Sequence, residues 1–211
     1  MKIVVFGASG GTGRQVVRQA ADAGHQVTAV IRAASRAEFT GEPVVVERAD
    51  VMDPDALVPV VAGQDAVVSV IGSRGRRVPT RVQSDAASAI ITAMRAGGVR
   101  RLLVVSNSGM IDDGQDGPLT RLLVKPVLRR VLRHPWADMR EMERRVRDSD
   151  LDWTLVRPPM LTDGPLTGTY RQASGQGLRG GVRISRADLA HCMVGSLADP
   201  RTIRSVITVG N

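Results

Sequence analysis

An apolar run, Ile3 to Phe6, leads straight into glycines at every third position, Gly7, Gly10 and Gly13. A helical pattern then extends from Thr12 to Ala23. A strand, a glycine turn and a helix in immediate succession form the arrangement that holds a dinucleotide pyrophosphate. The first glycine turns the chain out of the strand. The second keeps a Cβ away from the phosphates, and the third lets the helix pack close to the sheet. The exposed N–H groups and the dipole at the helix start attract the anion. Ser9, Gly11 and Thr12 fill out the same turn, so the candidate pyrophosphate set is Gly7, Ser9, Gly10, Gly11, Thr12 and Gly13.

The pattern continues as alternating strand and helix. Val27–Ile31 and Val44–Glu47 read as the second and third strands. Asp53-Pro54 opens a short helix, with Asp as the cap and Pro in the first turn. Ala66–Ile71 is a continuous apolar run, typical of a strand buried on both faces. A helix over Val82–Ala96 stops at Gly97-Gly98, and Leu102–Val105 is the fifth strand. The expectation is an α/β fold: one doubly wound, mostly parallel sheet with helices on both faces. The second half is less regular. It reads as a polar loop at 107–118, a basic amphipathic segment Leu119–Leu132, a helix Trp136–Asp148 and a strand Trp153–Val156. A loop with a short hairpin follows at 163–181. The Ser185-to-Asp188 stretch then resembles a capping box opening a helix, and Val206–Val209 is a last strand.

A chain of 211 residues with no internal repeat is expected to be a single domain, its acceptor pocket built by residues 107–185. The formal charge is +8, which raises the question of nucleic acid. Yet lysine occurs only at Lys2 and Lys125, and the arginines are spread along the chain. The cluster Arg144, Arg145 and Arg147 alternates with Glu141, Glu143 and Asp148, as on a solvated helix face. The five aromatic residues, Phe6, Phe39, Trp136, Trp153 and Tyr170, are too few for a base-stacking platform. Nucleic acid and membrane are therefore not expected as partners. The single cysteine, Cys192, reads as a core thiol, no metal site is expected, and a cytoplasmic protein, monomeric or weakly self-associating, is the default.

In open parallel sheets ligands bind beyond the carboxyl ends of the strands. After the second strand come Arg32, Ser35 and Arg36. An arginine here favours the 2′-phosphate of NADP, where an acidic residue would favour NAD. After the third strand, Asp50 and Val51 either meet the adenine or form a turn. After the fourth come Gly72, Ser73 and Arg74, with room for the cofactor and a cation for a phosphate or an acidic substrate. After the fifth come Ser106, Asn107 and Ser108, where the nicotinamide belongs.

The usual carbonyl-reducing pair, a tyrosine with a lysine four residues later, is missing: Tyr170 is the one tyrosine and Ser174 stands four residues on. A hydride acceptor that needs little help with protons fits such a chain, and flavins, quinones and conjugated tetrapyrroles are of that kind.

Across roughly residues 2–200 the chain resembles the atypical short-chain dehydrogenases with NmrA-like NAD(P)H-binding domains, and among them flavin reductase / biliverdin-IXβ reductase. The likeness rests on FGASGGTG at 6–13, VIRAASR at 30–36, AGQDAVVSVIGSR at 62–74, ITAMRAGGVRRLLVVSNSG at 91–109 and LDWTLVRPPMLTDGPLTGTYR at 151–171. The resemblance implies NADP(H) as cofactor with flavin as a substrate. It places the glycine turn on the pyrophosphate, Arg32, Ser35 and Arg36 on the 2′-phosphate, and Ser108 as the active-site serine. Pro159 and Met160 join the expected cofactor-binding residues, and Met160 stands where that enzyme has a histidine lining its substrate pocket. NmrA-like proteins also include NADP(H) sensors without turnover, which makes a redox regulator the alternative to a reductase.

Overall fold

The computed structural model describes residues 1–39, 44–72, 79–111, 123 and 125–211. Its strands are β1 (Lys2–Phe6), β2 (Gln26–Ile31), β3 (Val44–Arg48), β4 (Ala66–Ser69), β5 (Arg101–Val105), β6 (Asp152–Arg157), β7 (Met160–Thr162), β8 (Arg171–Ser174), β9 (Arg183–Ser185) and β10 (Ser205–Gly210). Its α-helices are α1 (Gly11–Asp22), α2 (Pro54–Val61), α3 (Val82–Ala96), α4 (Lys125–Val131), α5 (Arg133–Arg147) and α6 (Arg186–Ser196). Eight strands form one sheet in the order β3-β2-β1-β4-β5-β6-β10-β8. All neighbours are parallel except β8, which runs antiparallel to β10. The order reverses between β1 and β4, which is where a doubly wound sheet opens its ligand crevice.

Alternate residues of each strand face opposite cores. Ile3, Val5, Ala29, Leu103 and Val156 face α1 and α6, meeting Val16, Val17, Leu189 and Met193. Val4, Phe6, Val67, Leu102 and Leu155 face α2, α3 and α5, meeting Leu57, Ile90, Met94, Met142 and Val146. Burial on both faces is why these strands read as unbroken apolar runs.

The second half departs from the sequence expectation in three places. Residues 163–181 do not fold into a hairpin: β8 joins the edge of the main sheet against β10, and β7 pairs in parallel with the distant β9. Pairings across this distance in sequence leave no local turn signal to read. Helix α5 starts at Arg133 rather than Trp136, with Pro135 in its first turn, a position where proline loses no hydrogen bond. Ser185 caps α6 by accepting from the Asp188 N–H at 2.9 Å, but the reciprocal half of the box is redirected. The buried Asp188 carboxylate instead accepts from Thr167 N, Gly168 N and the Thr167 hydroxyl, holding that loop on α6. No helix among the described residues is long and apolar enough to cross a membrane.

Candidate nucleotide and acceptor site

Gly7 leaves β1 with φ +79°, and a Cβ there would lie 2.9 Å from the Val70 carbonyl oxygen. The end of β4 therefore presses directly on the turn. At Gly13 a Cβ would stand 2.2 Å from the Gly7 carbonyl oxygen, so only glycine lets α1 begin this close to β1. Gly10 donates its N–H to the Gly7 carbonyl at 3.0 Å and occupies the cap position of α1. It brings no side chain to accept from the first turn, and no acidic residue lies there. By contrast Asp53 caps α2 and Ser185 caps α6. The first-turn N–H groups of α1 thus have no side-chain acceptor, which suits them to a bound anion. Thr12 is buried and Ser9 half-buried. Sequence reasoning missed Arg186. Its side chain crosses the turn so closely that a Cβ at Gly11 would fall 2.8 Å from Arg186 Cδ. Arg186 Nη1 is held by Asp163 at 2.5 Å. Packing of α6 against α1 brings it there, from far along the chain.

At the carboxyl end of β2, Arg32 and Arg36 are exposed, and Ser35 N–H closes a turn on the Arg32 carbonyl at 2.9 Å. Two further arginines belong to this corner. Arg48, at the end of β3, donates to the carbonyls of Ala33 at 3.0 Å and Ser35 at 2.8 Å, bracing the turn. Arg14, one residue beyond the glycine turn, donates to the Glu38 carbonyl and lies 5.8 Å from the Phe39 ring centroid. None of the four arginines forms an ion pair among the described residues. Asp50 Oδ1 accepts from Met52 N–H at 3.0 Å, a turn-forming role, and Val51 packs half-buried on the second core. Gly72 has open space where a Cβ would stand. Ser73 and Arg74 lie outside the described residues.

At the ends of β5 and β6 the surroundings change. Ser106 is 3% exposed and donates to Glu143 Oε1 at 2.6 Å. Glu143 is not on a solvated face: it is 5% exposed and also takes a forked pair from Arg157, Nε at 2.8 Å and Nη2 at 2.5 Å. The helical spacing that put it among arginines was sound, but it turns inward, four residues from the half-exposed Arg147 that also reaches it at 3.2 Å. Burial pushes the Glu143 carboxyl up, and the bonds from Arg157 and Ser106 with the nearby guanidinium charges outweigh this, so it titrates below its ordinary value.

Beside this network opens a cleft of about 760 Å³. Ser108, Pro159 and Met160 line it together, with Leu128, Leu132 and Trp136 from the α4–α5 region and Leu178 and Val182 opposite. Ser108 is half-buried at the start of a 3₁₀ turn, Ser108–Met110; its N–H donates to the Pro158 carbonyl at 2.9 Å, and Asn107 Oδ1 accepts from Gly109 N–H. Lys125, also in the wall, donates to the Ile111 carbonyl. Tyr170 is not part of this wall; its hydroxyl bonds His191 Nδ1 at 2.8 Å. Cys192 is buried in the first core, and burial pushes its thiol up to about 11. Among the described residues no group of His, Cys, Asp and Glu is placed to hold a metal ion.

Parallel pairing puts the glycine turn, Arg32, Asp50, Gly72, Ser106 and Ser108 on one edge of the sheet. Along that edge an anion-receiving backbone turn, a corner of cations without ion pairs among the described residues and an apolar cleft follow one another. A long, doubly anionic ligand with a flat aromatic end fits that sequence of surfaces.

The comparisons agree. A model of an NAD(P)H-binding family matches residues 7–200. YwnB of Bacillus subtilis is 28% identical over 217 residues, covering 99% of this chain and 98% of its own. The (4-alkanoyl-5-oxo-2,5-dihydrofuran-3-yl)methyl phosphate reductase of Streptomyces griseus is 30% identical over 204 residues, which is 97% of this chain and 61% of that one. A solved short-chain dehydrogenase/reductase from Veillonella parvula in complex with NADP has the same fold, with a TM-score of 0.82 at 20% identity, over 100% of this chain and 94% of that one. The match across nearly its whole length establishes that the chain belongs to this NAD(P)H-binding family.

Proposed function

We propose that the protein is an NADPH-dependent reductase that passes hydride to a flavin, quinone or similar conjugated acceptor held in the cleft. One observation carries the reading: four arginines without carboxylate partners among the described residues stand beside an uncapped glycine turn, on the same edge as an apolar cleft. Arg32 and Arg36, with Ser35, hold the 2′-phosphate and select NADPH over NADH, and Arg14 and Arg48 support them. The N–H groups of the Gly7–Gly13 turn receive the pyrophosphate, assisted by the Arg186 charge. Asp50 and Val51 flank the adenine, and Gly72 leaves the cofactor room. The reduced nicotinamide, when bound, supplies the hydride. Ser108 orients its carboxamide or the acceptor, Pro159 and Met160 pack on the ring, and Ser106 acts from behind by fixing Glu143. The apolar walls exclude water, and the proton that completes the reduction comes from solvent. The S. griseus relative is itself named a reductase, which favours turnover over sensing.

The test is anaerobic NADPH oxidation across FMN, FAD, riboflavin, biliverdin and simple quinones, with NADH in parallel. Saturable turnover with one acceptor, and a clear preference for NADPH, is the expected result. Binding of NADPH without turnover on any acceptor would overturn the reductase and leave an NADP(H) sensor.

A further inference from the structure

Two arginines, Arg101 and Arg157, are each 9% exposed, at opposite ends of the adjoining strands β5 and β6. Arg101, at the amino end, uses all of its donors. Nε bonds the Leu197 carbonyl, Nη1 the Asp152 carbonyl and Thr154 hydroxyl, and Nη2 the Ser196 carbonyl and Thr202 hydroxyl. Arg157, at the carboxyl end, bonds Glu143 through Nε and Nη2, while its Nη1 makes no hydrogen bond among the described residues. Arg157 is part of the cleft wall. Nη1 is not one of the buried side-chain atoms left without a partner, so this arm of an otherwise buried guanidinium is open to the cleft.

We infer that Arg157 Nη1 is the fixed hydrogen-bond donor of the cleft, and that the acceptor is a conjugated carbonyl compound whose oxygen gathers negative charge as the hydride arrives. The inference rests on the reductase reading and narrows its substrate class. The forked bond to Glu143 holds the guanidinium plane in place, so Nη1 is aimed without reorganisation. Glu143 also offsets most of the Arg157 charge. Of the other cations of the wall, Arg186 pairs with the exposed Asp163, and Lys125 donates to the Ile111 carbonyl, which fixes the ammonium but leaves its charge in place. A permanently ionised carboxylate would lose its hydration against Leu128, Leu132 and Val182 on entering the cleft. A neutral carbonyl enters at low cost and acquires charge only during reduction, so the donor binds the transition state better than the ground state. In the step, an acceptor carbon forms a bond to hydride, its π electrons shift to the conjugated oxygen, and that oxygen takes a proton from water. NADPH is oxidised to NADP⁺ and the acceptor is reduced by two electrons.

The test compares 1,4-naphthoquinone with methylene blue, a hydride-accepting dye without a carbonyl oxygen. Arg157→Lys keeps a cation for Glu143 but loses the guanidinium fork. The double variant Arg157→Met with Glu143→Gln removes both charges together, so neither is left buried alone. In both variants the ratio of kcat/KM for naphthoquinone to that for the dye is expected to fall about tenfold or more. An unchanged ratio, whether both activities persist or both fall equally, overturns the inference. A second readout needs no turnover: quenching of tryptophan fluorescence by naphthoquinone, since Trp136 lines the cleft. Binding weakened in both variants, by less than kcat/KM falls, supports the donor role, and no saturable quench in the wild type overturns it. Wild-type protein that binds naphthoquinone but oxidises NADPH with neither compound overturns the reductase reading instead.

Discussion

The two ends of the central sheet treat their polar groups in opposite ways. At the amino end the accounts close: Arg101 has five acceptors for five N–H groups, and the Asp65 carboxylate accepts the Lys2 N–H at 2.7 Å. At the carboxyl end they stay open. Among the described residues helix α1 has no side-chain cap, Arg14, Arg32 and Arg36 face no carboxylate partner, and Arg157 uses only part of its guanidinium. Local charge density does not explain the contrast, since both ends are rich in arginine. The satisfied end ties β5, β6, α6 and the 3₁₀ turn Pro200–Thr202 into one body. The unsatisfied end keeps donors available for a ligand, which is what function asks of it.

The largest effect expected from breaking this comparison is at the closed end. Arg101→Met leaves two hydroxyls and three carbonyls without their donor, and the cost is about 3 to 5 kcal/mol of stability. Chemical denaturation measures it. NADPH affinity of the still-folded protein should be unchanged, because the site lies at the other end. A loss below about 1 kcal/mol would show that water replaces the guanidinium readily.

Next comes the open end. Arg32→Ala with Arg36→Ala should weaken NADPH binding about 10- to 100-fold, the value of one to two charged hydrogen bonds, and leave NADH binding within about threefold. Titration of both nucleotides decides it. Equal weakening of the two would mean that these arginines shape the loop rather than read the 2′-phosphate.

The two ends were not equally legible in the sequence. The glycine turn, the first five strands and the length of α3 could be read because each is a local matter: a residue needed for its small size, or a periodicity within one segment. Arg32 and Ser35 could be placed because the order of strands fixes which residues follow β2. Arg186, Arg48 and the Glu143–Arg157 pair could not. Each acts on a partner that only tertiary packing brings near, and an arginine in an arginine-rich chain carries no mark of its role. Glu143 shows the limit well. Its helical spacing among arginines was visible, but which face of α5 turns to the sheet is settled by Met142 and Val146 packing into the second core. The β7–β9 and β8–β10 pairings were hidden for the same reason.

Acid should loosen the open end. Glu143 and Asp188 both titrate below their ordinary values. For each, burial pushes the other way and is outweighed by the hydrogen bonds received. A carboxylate with a lowered folded value stabilises above its unfolded pKa, and that contribution disappears as pH falls through the folded value. Thermal midpoints should therefore decline from about pH 4 downward, and Asp188→Asn should flatten that decline. A variant curve parallel to the wild type would remove Asp188 from the account.

The smallest effect tests whether every open group at this end serves a ligand. Gln83, in the first turn of α3, is 4% exposed, and neither its amide oxygen nor its nitrogen has a partner among the described residues. Its backbone N–H is satisfied by Asp138 from α5 at 3.0 Å, so the helix start itself needs nothing more. Gln83 does not line the cleft, unlike Arg157. An unsatisfied amide outside the cleft is a cost without a function, and Gln83→Met, similar in length and free of the buried amide, should raise stability by about 1 kcal/mol with NADPH turnover unchanged. The readout is the denaturation midpoint beside the steady-state rate. A stabilised and fully active variant would separate idle polar groups from those held ready for a ligand. A stable variant with a raised KM for NADPH would instead move Gln83 into the nucleotide site and widen the open end to the start of α3.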